Sequence, residues 1–156
     1  MPAIGNEKEK WKEGSRACRV LIIDDNASDI LFLQRAMDDA GIETSTRVIS
    51  DGAQALQYVI THGNSEEALQ PDTILLDLNL GGVGGETILQ AIRSSRFMAD
   101  VPIAIVTSSI SSKERDRIIS LGVNYYIAKP TDLDEFLDIG ILIRDMLGGG
   151  STCHGV

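Results

Sequence analysis

The sequence predicts an α/β fold: a five-stranded parallel sheet, doubly wound as (βα)5. Three observations carry this. Five short apolar runs rich in Val, Ile and Leu recur along the chain, without the strict polar alternation of half-buried strands. Between them lie segments whose apolar residues repeat at helical spacing. Helix-starting and helix-stopping residues fall at the junctions. Such alternation covers both faces of one sheet with helices, and right-handed crossovers leave few topologies.

The first strand is R-V-L-I-I-D (19–24), a buried-strand run. A helix over 28–40 follows, with Ile30, Leu33 and Met37 at helical spacing and Gly41 placed as its C-cap. Strand two (43–49) is more polar, which suits a sheet edge. Asp51 is placed to N-cap a helix over 51–60, and a polar connection spans 62–71. Strand three covers 72–78, and a helix covers 86–95. Strand four is V-P-I-A-I-V-T (101–107). The helix over 111–121 opens with the capping-box pair Ser111 and Glu114 and closes at Gly122. Strand five covers 123–128, and a last helix covers 131–147. Gly140 inside that helix costs about 1 kcal/mol relative to Ala, so a bend or frayed turn is expected there. Residues 1–17 form a polar N-terminal extension whose main apolar anchor is Trp11. Residues 18–147 form the folded domain, and 148–156 read as a flexible Gly/Ser tail.

At 156 residues and 43% hydrophobic content, the chain builds a single core. Its net charge of −9 and the lack of a dense Lys/Arg block argue against direct binding to nucleic acid. No apolar run is long enough to span a membrane, so no membrane partner is expected. The N-terminus lacks the features of a signal or transit peptide, so a cytoplasmic location is expected. Cys18 reads as a small buried hydrophobe. Cys153-His154 supplies too few ligands for zinc. His62 reads as a cap or solvent contact, and Arg115 and Arg117 as solvated helix charges or part of a self-association face.

In sheets of this kind ligands bind at the carboxyl ends of the strands. Strand one ends in Asp24-Asp25, strand three near Asp77, strand four in Thr107-Ser108-Ser109, and strand five runs into Lys129-Pro130. Brought together, three carboxylates repel one another unless a cation bridges them or a proton neutralises one. Oxygen donors without thiolates or clustered histidines suit Mg²⁺. Mg²⁺ takes one or two carboxylates, leaving another free as a nucleophile toward phosphorus. Lys129 offsets the charge of an incoming phosphoryl group, and Thr107 donates to it. Glycines at 81, 82, 84 and 85 let backbone approach a ligand closely.

This order of residues, Asp-Asp, then Asp, Thr and Lys-Pro, resembles response-regulator receiver domains over residues 18–147. The resemblance implies a flavodoxin-like strand order, 2-1-3-4-5. It implies that Asp77 is the phosphoacceptor, with Thr107 and Lys129 binding the phosphoryl group. It also implies Mg²⁺ (with Mn²⁺ as a substitute) held by Asp25, Asp77 and the backbone carbonyl of Asn79, with Asp24 a ligand through water. The implied partner is a sensor histidine kinase or phosphotransfer protein. Tyr126 falls at the family's rotating switch aromatic, and a homodimer through the helix 4–strand 5–helix 5 face is implied. Lys129-Pro130 would be cis, as is frequent in the family. Gly81 stands where many receivers have proline, so a softer loop is expected; Gly85 keeps the family's glycine. L-D-L-N-L and L-G-V-N-Y-Y-I-A-K-P-T-D-L-D-E-F look most like single-domain receivers paired with phytochrome-like sensor kinases.

Three other readings compete with this one. A metal-dependent phosphohydrolase with an Asp nucleophile wants Asp-x-Asp on strand one and an acid at 79, where this chain has Asn79. A nucleotide-binding loop fails because no G-x-x-x-x-G-K-[ST] is present and the glycines follow strand three. An unphosphorylated receiver-like interaction module would lack one of the acids or the lysine, and all are present. The expectation is a stand-alone response regulator, a phosphoacceptor rather than an enzyme, with at most self-phosphorylation from small donors and self-dephosphorylation.

Overall fold

The computed structural model describes residues 11–154. Its elements are β1 (Cys18–Ile23), α1 (Ala27–Asp39), β2 (Thr44–Ile49), α2 (Gly52–His62), β3 (Thr73–Leu76), α3 (Gly85–Ser94), β4 (Ile103–Thr107), α4 (Ser112–Ser120), β5 (Tyr125–Ala128) and α5 (Leu133–Met146). All strand pairs are parallel, in the order β2-β1-β3-β4-β5. The expected α/β architecture and strand order are both present, with β2 at one edge.

Instead of the expected single core there are two, one on each side of the sheet, and continuous apolar strands arise because each strand feeds both. Leu21, Ile23, Ile74, Leu76, Ile103 and Ile105 point to one side, under α2, α3 and Ile118 of α4. Val20, Ile22, Leu75, Ala104 and Val106 point to the other, under α1 and α5. Tyr126 packs on the first side and Tyr125 on the second, as opposite pleat directions require.

Register then places the strand ends. Ile23 pairs with Leu76, Leu76 with Ile105, and Thr107 with Ala128. The residue after each strand is tied to its neighbour: Asp77 N–H donates to Ile23 O at 2.9 Å and Lys129 N–H to Thr107 O at 2.8 Å. Asp24, Asp77 and Lys129 therefore emerge along one edge.

The helices begin as their caps predict. Asn26, Asp51, Ser111 and Asp132 each accept a backbone N–H from the first turn with their side chains. Ser111 makes only half of its capping box, because the Glu114 carboxylate takes the Ser109 hydroxyl instead.

Gly140 corrects an expectation. α5 runs unbroken through it, so the glycine marks neither a bend nor a fray. A Cβ there would strike the carbonyl of Ala36 in α1. The glycine lets the two helices touch backbone to backbone.

The tail also differs from expectation. α5 returns to the edge where β1 begins, so the residues after it meet Cys18. Cys18 and Cys153 form a disulfide across a separation of 135 residues. Ser151 O accepts Glu43 N–H at 2.7 Å, and Cys153 and His154 N–H groups reach Arg16 O at 3.1 and 3.2 Å. His154 Nε2 lies 2.7 Å from Asp72 Oδ2. Residues 151–154 are thus fastened rather than free, and Cys18 is a disulfide partner rather than a lone buried thiol.

At the other terminus, Trp11 donates its indole N–H to Ser45 O at 3.0 Å and packs on the first core. The Glu/Lys alternation of residues 1–10 lies outside the described residues. Lys129-Pro130 is trans, like every described peptide bond, which corrects the cis expectation. No helix among the described residues is long and apolar enough to cross a membrane.

Candidate functional site

Asp24 and Asp77 sit on adjacent strand ends and are 2% and 3% exposed, while Asp25 faces solvent. Carboxylate oxygens of Asp24, Asp25 and Asp77 all lie within 4.8 Å of one another. Two buried carboxylates at this spacing need compensation, and the structure supplies it in two forms. Backbone N–H groups of Asn26 and Asn79 donate to Asp24 Oδ1 and Asp77 Oδ1 at 2.8 and 3.0 Å. The ammonium of Lys129 lies 2.9 Å from Asp77 Oδ2 and 3.1 Å from Asp24 Oδ2.

The balance differs between the groups. Burial pushes the Asp24 carboxyl above the usual range, with the Asp77 charge adding to it; the Asn26 N–H and Lys129 oppose this without cancelling it. For Lys129, burial alone would lower the pKa. Its hydrogen bonds to Asp29 and Asp77, with the charges of Asp24 and Asp77, outweigh burial and hold it above the ordinary lysine range.

Thr107 is fully buried at the end of β4. Its Oγ1 accepts the Ser109 N–H at 3.2 Å, which orients the hydroxyl and leaves its proton to donate elsewhere. Asn79 donates its side-chain amide to Ser108 Oγ at 3.2 Å, linking the loops after β3 and β4. Tyr126 is half-buried on β5, and its hydroxyl is buried without a partner among the described residues. A cavity of about 260 Å³ beside it is lined by Ser109, Ile110, Arg115 and Ala128 among others. Arg115 lies over the Tyr126 ring, 5.7 Å from its centroid, and Ile110 is 96% exposed. Arg117 pairs on the surface with Glu86 at 3.2 Å.

The glycine run answers two different needs. At Gly85 a Cβ would lie 2.7 Å from the Asp77 carbonyl oxygen, so α3 can start this close to Asp77 only without a side chain. Gly82 has φ +79°, a left-handed conformation that tightens the turn.

The donor set fits a hard divalent cation. All three side chains offer carboxylate oxygens, two already oriented by backbone N–H groups, and neither sulfur nor imidazole takes part. The residues expected at the strand ends thus converge. One that sequence reading missed is Asp29, whose Oδ2 is 2.7 Å from Lys129 Nζ. In sequence it is one of several polar residues at a helix start, and its position one turn past Asp25 is the available signal. His62, expected to be a cap or solvent contact, instead stacks on Tyr58 with ring centroids 4.2 Å apart.

Residues 20–139 match the model of the response regulator receiver domain. The chain is 30% identical over 116 residues to the probable methanogenesis regulatory protein FilR2 of Methanothrix harundinacea, covering 74% of each. It is 26% identical over 116 residues to the response regulator Rcp1 of Synechocystis sp., covering 74% of this chain and 79% of Rcp1. The crystal structure of the phosphorylated cyanobacterial phytochrome response regulator RcpA superposes with a TM-score of 0.75 at 28% identity, covering 87% of this chain and 98% of RcpA. With the family's model matched over most of its length, the chain belongs to the response regulator receiver domain family.

Proposed function

We propose that this chain is a response regulator that accepts a phosphoryl group on Asp77 in a Mg²⁺-dependent reaction. The observation that carries the reading is the Lys129 ammonium, 2.9 Å from an Asp77 carboxylate whose oxygens share a 4.8 Å cluster with Asp24 and Asp25. The donor is a phosphohistidine of a sensor kinase or phosphotransfer protein, the partner class of the family. RcpA, a relative at 28% identity, was crystallised phosphorylated, which supports extending that chemistry to this chain.

Asp24, Asp25, Asp77 and the backbone carbonyl of Asn79 would hold the cation, and Mn²⁺ would replace Mg²⁺. When bound, the cation would supply charge neutralisation at the phosphoryl oxygens and among the clustered acids. One Asp77 oxygen attacks phosphorus; the O–P bond forms as the N–P bond breaks, and the imidazole leaves with the electron pair. Lys129 turns toward a phosphoryl oxygen as a compact point charge. Thr107 donates its hydroxyl proton to another. Its movement vacates space beside β5, into which Tyr126 turns; the partnerless hydroxyl of Tyr126 favours that motion. The α4–β5–α5 surface changes with it and serves as the contact for a target or for a second copy. A population shift of this kind needs only a few kcal/mol of differential contact. Water attack on the acyl phosphate resets the switch.

Incubation with acetyl phosphate and Mg²⁺, followed by intact-mass measurement, tests the reading. A gain of one phosphoryl group is expected in the wild type and in Asp51→Asn, and none in Asp77→Asn. A gain that persists in Asp77→Asn would sink it.

A further inference from the structure

Three carboxylates surround the Lys129 ammonium: Asp29 at 2.7 Å, Asp77 at 2.9 Å and Asp24 at 3.1 Å. The three are not equivalent. Asp24 and Asp77 belong to the oxygen cluster that suits a divalent ion, while Asp29 lies outside it. A cation entering that cluster takes over as counter-charge for Asp24 and Asp77, and ammonium and cation repel each other across it. The lysine then needs a partner that the cation does not claim.

Asp29 has the geometry for this. It stands in the first turn of α1, three residues after the N-cap Asn26. At that position the Glu or Gln of a capping box reaches back to the N–H of the capping residue. Here the Asn26 N–H is taken by Asp24 Oδ1, and the Asp29 carboxylate turns instead to Lys129. Its backbone N–H still joins the cap, donating to Asn26 Oδ1 at 3.0 Å, so the carboxylate is fixed on a rigid helix start. It is the shortest of the three contacts to the ammonium. An acid serving only the helix end would face solvent; this side chain is 17% exposed.

We propose that Asp29 is a positioning residue for Lys129: it holds the ammonium aside while a divalent cation occupies Asp24, Asp25 and Asp77, so that both cations share the site before phosphoryl transfer. The inference rests on the phosphoacceptor reading above and assigns Asp29 its part in it. Without Asp29, Lys129 has only the acids of the cluster to pair with, and so competes with the divalent ion.

Mn²⁺ titration tests this without a phosphodonor, the free ion being followed by its electron paramagnetic resonance signal. The proteins are wild type, Asp29→Asn, Asp29→Glu, Lys129→Met and the Asp29→Asn/Lys129→Met double variant, each checked for folding by circular dichroism. Asp29→Ser serves as a second neutral variant if the Asn variant does not fold. Asp29→Asn is expected to weaken Mn²⁺ binding by about fivefold, the size of one lost charge-assisted contact, and Asp29→Glu to restore most of it. In the Lys129→Met background the same Asp29→Asn change is expected to have no effect, because the competitor is gone. An equal loss in both backgrounds would mean that Asp29 acts only as a nearby negative charge, and would overturn the proposal. So would unchanged binding in the single variant. Wild-type protein that takes up no Mn²⁺ would overturn the cation site and this inference together, whereas tight wild-type binding with an unchanged Asp29→Asn would overturn the inference alone.

Discussion

Replacing Gly140 with Ala sets two effects of opposite sign against each other. Helix propensity favours Ala by about 1 kcal/mol in the middle of α5. Packing opposes it. The new Cβ would meet the Ala36 carbonyl of α1 head-on, 2.7 Å from its carbon and 3.2 Å from the Ala40 Cβ. Ordinary contact lies near about 3.5–4.0 Å, so the helices must part by roughly 1 Å. The obstruction is backbone and has no rotamer to change. Parting the helices also loosens Leu33, Met37, Phe136, Ile139 and Ile143, all buried in the same layer. Overpacking of this kind costs about 1–3 kcal/mol, and a backbone obstruction belongs at the upper end. The net loss is then about 2 kcal/mol, or about 4–8 °C in Tm for a domain of this size. Thermal and urea unfolding of the oxidised protein measure it. Gly81→Ala is the control: a Cβ there meets nothing within 4 Å, so that change should be neutral or slightly stabilising. A Tm for Gly140→Ala equal to or above wild type would refute the packing argument. The same interface holds Asp29 at the start of α1 near Lys129 just before α5, so parting it should also weaken Mn²⁺ binding.

The Cys18–Cys153 disulfide closes a loop across 135 residues. Chain entropy alone makes such a closure worth up to about 5 kcal/mol, so Cys153→Ser or reduction should lower Tm and open residues 148–154 to proteolysis; an unchanged Tm would contradict the pairing. Asp24→Asn should stabilise the fold at neutral pH. Burial raises the Asp24 carboxyl, so the folded state binds its proton more tightly than the unfolded state does. The charged form therefore costs stability above the raised pKa, and the cost fades as pH falls through it. Unfolding measured at pH 7 and again in acid should show the advantage of Asn shrinking, and a less stable variant at pH 7 would contradict the sign. Mg²⁺ at about one hundred times its Kd should add about 2.7 kcal/mol to wild-type stability by mass action. Asp25→Asn should lose most of that gain, and equal stabilisation of both by Mg²⁺ would place the ion elsewhere.

Much of the architecture was legible because parallel strands buried on both faces leave an unmistakable run, as in residues 74–76 and 103–106. Caps were legible for the same local reason: Asp51 and Ser111 act within one turn of themselves. Strand ends were over-read by a few residues, because Leu78 and Val101 are apolar yet lie outside the ladders. The site residues were legible through their place at strand ends, which register converts into proximity. What escaped depends on contacts distant in sequence. Gly140 looks like a helix weakness until Ala36 is seen against it. Cys18 and Cys153 give no local sign of each other. Asp29 looks like a helix-start acid, and only the position of Lys129, one hundred residues later, shows where its carboxylate goes.

The most direct test of the central claim is a crystal structure with Mn²⁺ and beryllium trifluoride, a stable phosphoryl mimic, using anomalous scattering to locate the metal. The account predicts one metal peak among Asp24, Asp25, Asp77 and the Asn79 carbonyl, beryllium on an Asp77 oxygen, and Lys129 and Thr107 in contact with fluorides. A metal peak away from these acids, or beryllium bound to another carboxylate, would contradict it.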